Sequence, residues 1–290
     1  MSDLAPTRLV PSDDTTAGYL LRLSRPRFWL YLAGPVVVGV AYAAEGSAEL
    51  FAPIALALFA YFLVPANVFL YGVNDVFDAD IDVENPKKEG REIRYRGDRL
   101  VPALVAVSGL IGLSFLPFLP MSGALAMVVF LFLAVEYSAP PLRFKTTPFV
   151  DSVSNGLYVL PGVIAYAALA GGAPPLAAVV GGWLWAMGKH TFSAIPDIEP
   201  DRAAGIETTA TWLGTARTYV YCGGCWLAAA VVFGTVHPFF FVVLAIYPVF
   251  VSVLVLTDIP TDRAYWWFPA LNTLVGAVLT LAALRVMLHG

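Results

Sequence analysis

The chain has 290 residues, of which 59% are hydrophobic and only 13% charged; its mean hydropathy is +0.74 and its formal net charge is −4. Because soluble globular domains carry about 25% charged residues, this composition excludes an ordinary soluble protein and indicates one that crosses a membrane several times. We expect its partners to be the lipid bilayer and small molecules, with no nucleic acid among them.

The N-terminal segment is polar and of mixed charge. Residues 1–19 contain no apolar run of the kind that a secretory signal needs, so we predict a polar tail there. No long polar linker divides the remainder of the chain, and residues 20–290 therefore form a single predicted membrane domain.

Uncharged stretches mark the predicted membrane spans: 28–44, 50–74, 101–135, 152–188, 218–257 and 264–284. A helix crosses the hydrocarbon core in roughly 20 residues, so the first, second and last stretches each hold one helix. The other three are long enough for two helices, and Gly or Pro near the middle of each predicts a break, at 117–123, 170–175 and 236–240. The sequence thus predicts an all-α bundle of nine transmembrane helices.

The basic residues predict the orientation of this bundle. With nine spans, one side of the membrane receives sixteen of the seventeen Lys and Arg residues, and the other side receives Arg285 alone. The positive-inside rule makes the first side cytoplasmic, which places the N-terminus there and the C-terminus on the opposite side of the cell membrane. Nineteen of the twenty-one acids also fall on the cytoplasmic side, which predicts a polar reaction centre that opens to the cytosol.

The first acidic cluster lies at the end of the second predicted span, in the stretch YGVNDVFDADID. Asn74, Asp78 and Asp82 are spaced i, i+4, i+8 and would share one stripe of a helix, with Asp75 on a neighbouring line. Carboxylates four residues apart on a helix repel each other, so the array predicts a cation beside them.

The second acidic cluster is IPDIEPDRAAG, in which Asp197 and Asp201 have the same i, i+4 spacing and Glu199 lies between them. Carboxylate and amide oxygens without His or Cys suit hard cations, above all Mg²⁺, whose remaining ligands are usually water and phosphate. Two acidic clusters beside several bases predict a diphosphate clamped by metal ions. The bases are Lys87, Lys88, Arg91, Arg143, Lys145, Lys189 and Arg202.

Two other interpretations, a calcium loop and a thiol site, fit less well. An EF-hand would begin at Asp78, but Val83 occupies the position where its sharp turn needs Gly. Cys222 and Cys225 have CxxC spacing, yet no second Cys or His pair completes a zinc site, and an apolar helix is unsuited to thiol exchange. We predict that both thiols are small packing residues.

Three segments together resemble one known family. NDVFDADID is similar to the first Asp-rich motif of the UbiA-type intramembrane prenyltransferases, DIEPD is similar to their second, and YSAPPLRFK (137–145) is similar to the segment between them. The resemblance extends from LRLSRPRFWL (21–30) over nearly the whole chain. It implies a nine-helix bundle around a central cavity that opens to the cytoplasm and, laterally, to the lipid.

The resemblance also implies roles for individual residues. The implied ligands of one Mg²⁺ ion are Asn74, Asp78 and Asp82, with Asp75 nearby, and those of a second, diphosphate-bridged ion are Asp197 and Asp201. The implied diphosphate contacts are Tyr137, Arg143, Lys145 and Arg22, and Lys189 is a further candidate by its charge. Many members carry an Arg-Pro pair after the first motif; this chain has ENPKKEGREIRYRGDR instead, which leaves open which loop base reaches the diphosphate.

The stretch NDVFDADIDVENPKKEGREIRYRG is most similar to the carotenoid branch of the family, the lycopene elongases. This resemblance implies an electrophilic alkylation, in which lycopene attacks the allylic cation from dimethylallyl diphosphate inside a dry pocket. Aromatic faces stabilise such a cation, and the candidates are Phe69, Tyr71, Phe77, Tyr158 and Phe192. His190 is a candidate for directing water to the product cation, or else a structural residue.

Other functions remain open on the sequence. Within the enzyme class, the acceptor could instead be an aromatic or quinone-precursor compound, a glycerol ether lipid or a chlorophyll-type alcohol. A cation-coupled transporter would place charges and broken helices at mid-membrane, whereas the acids here lie at the ends of predicted helices. A scaffold protein with degenerate motifs is disfavoured because the acidic ligands are complete.

Overall fold

The computed structural model describes residues 15–78, 97, 99–257 and 259–289. Within these ranges the chain is helical and contains no strand. Its α-helices are α1 (Thr16–Leu23), α2 (Trp29–Ala43), α3 (Pro53–Leu63), α4 (Pro65–Phe77), α5 (Leu100–Ser114), α6 (Met121–Glu136), α7 (Val150–Ser154), α8 (Leu160–Ala170), α9 (Leu176–Ser193), α10 (Ile198–Ala203), α11 (Thr209–Leu213), α12 (Thr215–Gly234), α13 (Pro238–Leu244), α14 (Ile246–Thr257) and α15 (Thr261–His289).

Among the described residues, six helical segments are long and apolar enough to cross a membrane: Pro53–Phe77, Leu100–Phe118, Val150–Ala170, Thr215–Gly234, Pro238–Thr257 and Arg263–His289. Helix α6 is apolar as well but has 16 residues, and α2 and α9 have 15 and 18. The chain is therefore all-helical with several candidate membrane spans, in agreement with its composition. The count of nine spans stays a prediction.

The helix boundaries follow the Gly and Pro residues that predicted breaks. Helix α6 begins at Met121, α8 ends at Ala170 and α12 ends at Gly234, each within or close to a predicted break. The second predicted span differs, because it is divided into α3 and α4 where Pro65 begins α4. Proline disfavours the helical conformation of the residue before it, and Val64 has φ −125° and ψ −60°.

Helices α2 and α8 contact each other through their backbones. Gly39 of α2 lies directly against the backbone of Gly162 in α8, and a Cβ atom at Gly162 would be 2.9 Å from the carbonyl oxygen of Pro35. Small residues allow membrane helices to approach this closely, because no side chain separates the backbones. The contact fixes α2, which carries an aromatic wall of the site described below.

The apolar core consists of two clusters. The first is built mainly by α2, α3, α4, α6 and α8, and the second mainly by α9, α12, α14 and α15. In the second cluster Phe192, Trp226 and Phe268 pack with ring centroids 5.4–5.7 Å apart. Cys222 and Cys225 are buried free thiols on α12, and Cys222 packs within the second cluster.

The N-terminal helix α1 begins ahead of the predicted domain boundary at residue 20. Its first residue is Thr16, and the side chain of Thr15 caps it by accepting a backbone hydrogen bond. Tyr19 is buried in a small cluster with Val101 of α5, which ties α1 to the bundle. The predicted polar tail otherwise falls on residues 1–14, which lie outside the described residues.

Candidate active site

A cavity of about 340 Å³ lies where the two predicted Asp-rich motifs meet. Its wall combines aromatic, acidic and basic side chains from α2, α4, α9, α10 and the loops that follow α6 and α10. Seven of the predicted site residues line it: Asn74, Asp78, Tyr137, Lys145, Lys189, Asp197 and Asp201. Both motifs therefore face one common space.

The first motif lies at the C-terminal end of α4. The helix ends at Phe77, and Asp78 caps it with a backbone N–H that donates to the carbonyl of Asn74 at 3.0 Å. The Asn74 amide nitrogen donates to Ser138 Oγ at 2.9 Å, which fixes the orientation of its side chain. Asp82, the third residue of the predicted stripe, lies outside the described residues.

Two bases from the loop after α6 hold the Asp78 carboxylate. Arg143 Nη2 lies 3.1 Å from Asp78 Oδ1, and the Lys145 ammonium contacts the same oxygen. The loop is tightly turned: Arg143 has the left-handed φ of 42°, and the Lys145 N–H donates to the carbonyl of Tyr137 at 3.0 Å. The middle motif thus brings its tyrosine and both bases to the first acidic motif.

Asp75 has a different position from the other acids. It is 2% exposed, and its carboxylate forms a 3.0 Å ion pair with Arg25, whose guanidinium stacks 4.5 Å from the centre of the Tyr71 ring. Arg25 lines the cavity, whereas Asp75 and the exposed Arg22 do not. Arg25 was not among the predicted site residues; its backbone is left-handed, with φ 50°, which the following Pro26 does not predict.

The second motif follows α9 through a short 3₁₀ turn. Asp197 is the residue that directly precedes α10, Asp201 lies one helical turn later, and both line the cavity. Glu199 is directed elsewhere: its carboxylate pairs with Arg202 at 2.9 Å, and it is exposed. Asp197 and Asp201, which are four residues apart, therefore line the cavity, whereas Glu199 between them does not.

Lys189 is buried in the cavity wall against aromatic rings. Its ammonium lies 3.9 Å from the centre of the Tyr31 ring and 4.2 Å from that of Tyr158. Cation–π contacts of this kind favour a positive charge at that position, whereas burial of the amine opposes it. Of the predicted aromatic candidates, Tyr71 and Tyr158 line the cavity, with their hydroxyls 3.4 Å apart; the others, Phe69, Phe77 and Phe192, do not.

A tyrosine, a histidine and an aspartate form a further polar group in the wall. Tyr137 Oη lies 3.4 Å from His190 Nε2, which is 3.9 Å from Asp151 Oδ2. Burial, reinforced by the Asp151 carboxylate, raises the pKa of the Tyr137 phenol well above its usual value, so the phenol remains a neutral donor. Asp151 also accepts hydrogen bonds from the backbone and hydroxyl of Thr209, which joins α7 to α11.

The donor set suits a hard cation bound in part by a ligand. The cavity offers the amide of Asn74 and the carboxylates of Asp78, Asp197 and Asp201. No group of three or more His, Cys, Asp and Glu side chains is close enough to hold an ion alone in the ranges that the structure describes. Mg²⁺ usually takes one or two carboxylates and completes its shell with water and phosphate, so these pairs of donors fit it.

Residues 32–274 match the family model of the UbiA prenyltransferase family. The chain belongs to this family. This prenyltransferase is 64% identical to the lycopene elongase/hydratase of Haloarcula japonica, over 98% of the chain and 97% of that protein. It is 62% identical to the lycopene elongase/hydratase of Haloferax volcanii, over 94% of the chain and 90% of that protein.

Solved structures of other family members share the fold. A UbiA homologue from Archaeoglobus fulgidus bound to DMAPP and Mg²⁺ aligns with a TM-score of 0.68 at 20% identity, covering 92% of this prenyltransferase and 99% of that chain. The apo structure of a homologue from Aeropyrum pernix K1 aligns with a TM-score of 0.66, covering 90% and 98%. The all-helical architecture of this prenyltransferase is therefore the UbiA fold.

Proposed function

We propose that this enzyme transfers a dimethylallyl group from its diphosphate to lycopene, in the biosynthesis of fifty-carbon carotenoids. The observation that carries the proposal is the similarity to lycopene elongase/hydratases, which is 64% and 62% identity over nearly the whole chain. The cavity supports it, because acids, bases and aromatic rings line one common space. Hydration of the product belongs to the same proposal, since those relatives are named for it.

The proposed metal ligands belong to two sets, as the sequence motifs suggest. Asn74 and Asp78, together with Asp82, would hold one Mg²⁺, and Asp197 and Asp201 would hold the other. Bound there, the ions supply Lewis-acid neutralisation of the charge that develops on the diphosphate. Each motif contributes at most two described donors, which is too few to complete the ligand shell of an Mg²⁺ ion. Oxygens of the diphosphate would supply further ligands.

The bases and Tyr137 position the diphosphate. Arg143 and Lys145 already share one oxygen of Asp78, so a diphosphate beside that oxygen is within their reach. The neutral Tyr137 phenol donates to a phosphate oxygen, and Lys189 adds a positive charge at the aromatic wall. Asp75 acts through Arg25, by holding its guanidinium at the rim of the cavity. Arg22, exposed on α1, is the least central of the proposed contacts.

The aromatic wall stabilises the allylic cation that forms when the carbon–oxygen bond to the diphosphate breaks. Tyr31, Tyr71 and Tyr158 line the cavity, and each ring face contributes roughly 0.5–2 kcal/mol to a nearby cation. Lycopene's terminal double bond then forms the new carbon–carbon bond and leaves a tertiary cation. The apolar helices around the cavity protect both cations from bulk water.

The proposed arrangement in the membrane has nine spans and one domain over residues 20–290. In addition to the six candidate spans, α2, α6 and α9 would cross the bilayer. The cavity would then open to the cytoplasm, on the side of the N-terminus, in the cell membrane. The distribution of Lys and Arg in the sequence supports this orientation.

An aromatic acceptor is the alternative within the enzyme class. It is favoured by weaker similarity to the 4-hydroxybenzoate octaprenyltransferase of an Azoarcus species, at 28% identity over 68% of each chain. Because the chain belongs to a prenyltransferase family, the enzyme interpretation is favoured over a transporter or a scaffold protein. Purified enzyme supplied with either acceptor separates the two proposals: product from 4-hydroxybenzoate and none from lycopene would contradict ours.

The test of the site compares two acids of the same motif. Asp201→Ala removes a proposed metal ligand and is expected to lower the rate of lycopene prenylation by about a hundredfold or more. Glu199→Ala is the matched control, because Glu199 is exposed and paired with Arg202, and its activity should remain near that of the parent. Products are measured by chromatography of carotenoids from enzyme in lycopene-containing vesicles. Full activity of Asp201→Ala would contradict the assignment.

A further inference from the structure

A polar cluster lies inside the apolar bundle, about one helical turn from Lys189. It consists of Tyr31 on α2, Trp185 on α9, Tyr247 on α14 and Asn272 on α15. Trp185 precedes Lys189 by one turn, towards the middle of α9. Because Tyr31 lines the cavity, the cluster adjoins the candidate active site.

One aligned hydrogen bond joins the described side chains of this cluster. Tyr247 Oη donates to Asn272 Oδ1 at 2.9 Å. The Asn272 side chain also lies near the Tyr31 hydroxyl, and the Trp185 indole lies near the Tyr247 hydroxyl, but neither pair forms a hydrogen bond. Within the described part of the chain, three buried polar atoms are consequently without a partner: Tyr31 Oη, Trp185 Nε1 and Asn272 Nδ2.

The chemistry of these three atoms specifies the group that would satisfy them. Buried polar atoms are nearly always hydrogen-bonded, so three exceptions in one cluster point to a bound molecule. The indole of Trp185 and the amide nitrogen of Asn272 only donate, and the phenol of Tyr31 can donate or accept. The molecule must therefore present an oxygen that accepts hydrogen bonds. A single water meets this requirement, since buried waters typically have about three polar partners.

We propose that this cluster holds the water molecule that hydrates the prenylated carotenoid cation. The inference rests on the proposed lycopene prenyl transfer and deepens it. In the step, a lone pair of the water oxygen forms a bond to the tertiary carbon. The resulting oxonium loses one proton to the diphosphate released by prenyl transfer, and the product is a tertiary alcohol. Without a held water, the same cation loses a carbon-bound proton and becomes an alkene.

The adjoining wall is suited to the cation that this water would attack. The ring faces of Tyr31 and Tyr158 lie 3.9 and 4.2 Å from the Lys189 nitrogen, and such faces attract a cation that lies against them. A carbocation on the same surface lies beside Tyr31 and therefore beside the cluster. The surrounding helices exclude bulk water, so hydration requires one water held in place.

The test is the ratio of hydrated to deprotonated product that full-length enzyme in vesicles forms from lycopene and dimethylallyl diphosphate. Asn272→Leu replaces the amide by an apolar side chain of similar size, and Tyr31→Phe removes the hydroxyl but keeps the ring beside Lys189. Each should lower the hydrated share of total product roughly tenfold, the effect of one hydrogen bond to the reacting water. Tyr61→Phe is the control, because it removes an equally buried, unpartnered hydroxyl away from the cavity, and its ratio should equal the parent's.

The outcomes separate a wrong water site from a wrong function. An unchanged product ratio in Tyr31→Phe and Asn272→Leu would overturn the water site while the parent enzyme still prenylates lycopene. A parent enzyme that forms no prenylated carotenoid of either kind would overturn the proposed function and the water site together. The thermal midpoint is measured for every variant, and if Asn272→Leu fails to fold, the milder Tyr31→Phe decides.

Discussion

At the scale of single residues, the ionised groups of the candidate site already have partners inside the protein. Asp78 pairs with Arg143 and Lys145, and Asp75 pairs with Arg25. A diphosphate that binds beside Asp78 therefore competes with its carboxylate for the same two bases. Binding is an exchange of ion pairs, and its free energy is a difference between two sets of contacts.

Removing one of these bases should weaken diphosphate binding selectively. Lys145→Met keeps the length and apolar stem of the side chain but removes its charge, and we expect KM for dimethylallyl diphosphate to rise about tenfold or more. Arg217→Met is the matched control, because Arg217 is exposed and does not line the cavity. Steady-state kinetics measure both. Equal KM values in the two variants would contradict a role for Lys145 in binding.

At the scale of helices, the close contact of α2 with α8 determines the position of one aromatic wall. Tyr31 lies two turns before Gly39 on α2, and Gly39 meets the backbone of Gly162. Because neither glycine has space for a Cβ atom, any added side chain must push the helices apart. A displacement of α2 would carry Tyr31 away from Lys189 and Tyr158.

Gly39→Ala should therefore destabilise the protein, although alanine favours helix over glycine. Overpacking of a close contact lowers the free energy of unfolding by about 1–3 kcal/mol. This cost exceeds the roughly 0.5–1 kcal/mol by which alanine stabilises a helix relative to glycine. Gly34→Ala in the same helix is the control, since nothing lies within 4 Å of a Cβ atom there. Thermal unfolding in detergent should give a lower midpoint for Gly39→Ala alone. Equal midpoints would contradict the close contact.

The sequence predicted the apolar helices and their breaks because hydropathy, Gly and Pro act locally. It predicted the convergence of the two Asp-rich motifs only through their resemblance to a family. The end of α4 at Phe77 was not predicted, because no Gly or Pro marks it, and the ion pairs of Asp78 that form there come from a loop far along the chain.

The unpredicted site residues share a physical reason. Arg25 reaches the cavity because its backbone is left-handed, and Asp151 belongs to the wall because it joins α7 to Thr209 of α11. Lys189 was predicted from its charge, yet its aromatic partners, Tyr31 and Tyr158, come from two other helices. Such pairings depend on how helices pack, which local sequence patterns do not encode.

At the scale of the whole molecule, the number of spans determines where the two ends of the chain lie. Nine spans place the termini on opposite sides of the membrane, whereas the six candidate spans alone would place both on the same side. The difference depends on α2, α6 and α9, which are short or less apolar. All three carry residues of the candidate site or its loops, so the topology also bears on the cavity's opening.

Epitope tags at the two ends test the topology. Protease added outside intact spheroplasts should digest a tag after residue 290 and leave a tag before residue 1 intact. Permeabilised spheroplasts are the control, in which both tags should be digested. Protection or digestion of both tags in intact spheroplasts would indicate an even number of spans and would contradict the nine-helix proposal.

The two core clusters have a consequence for biogenesis. Asn74 and Asp78 belong to the half of the chain that builds the first cluster, whereas Asp197 and Asp201 follow α9 and belong to the half that builds the second. A ribosome delivers these halves to the membrane one after the other, and the earlier one carries an incomplete reaction chamber. If both acidic motifs bind the substrate as proposed, turnover begins only after the two halves have packed together, and the first product then reports the last step of assembly.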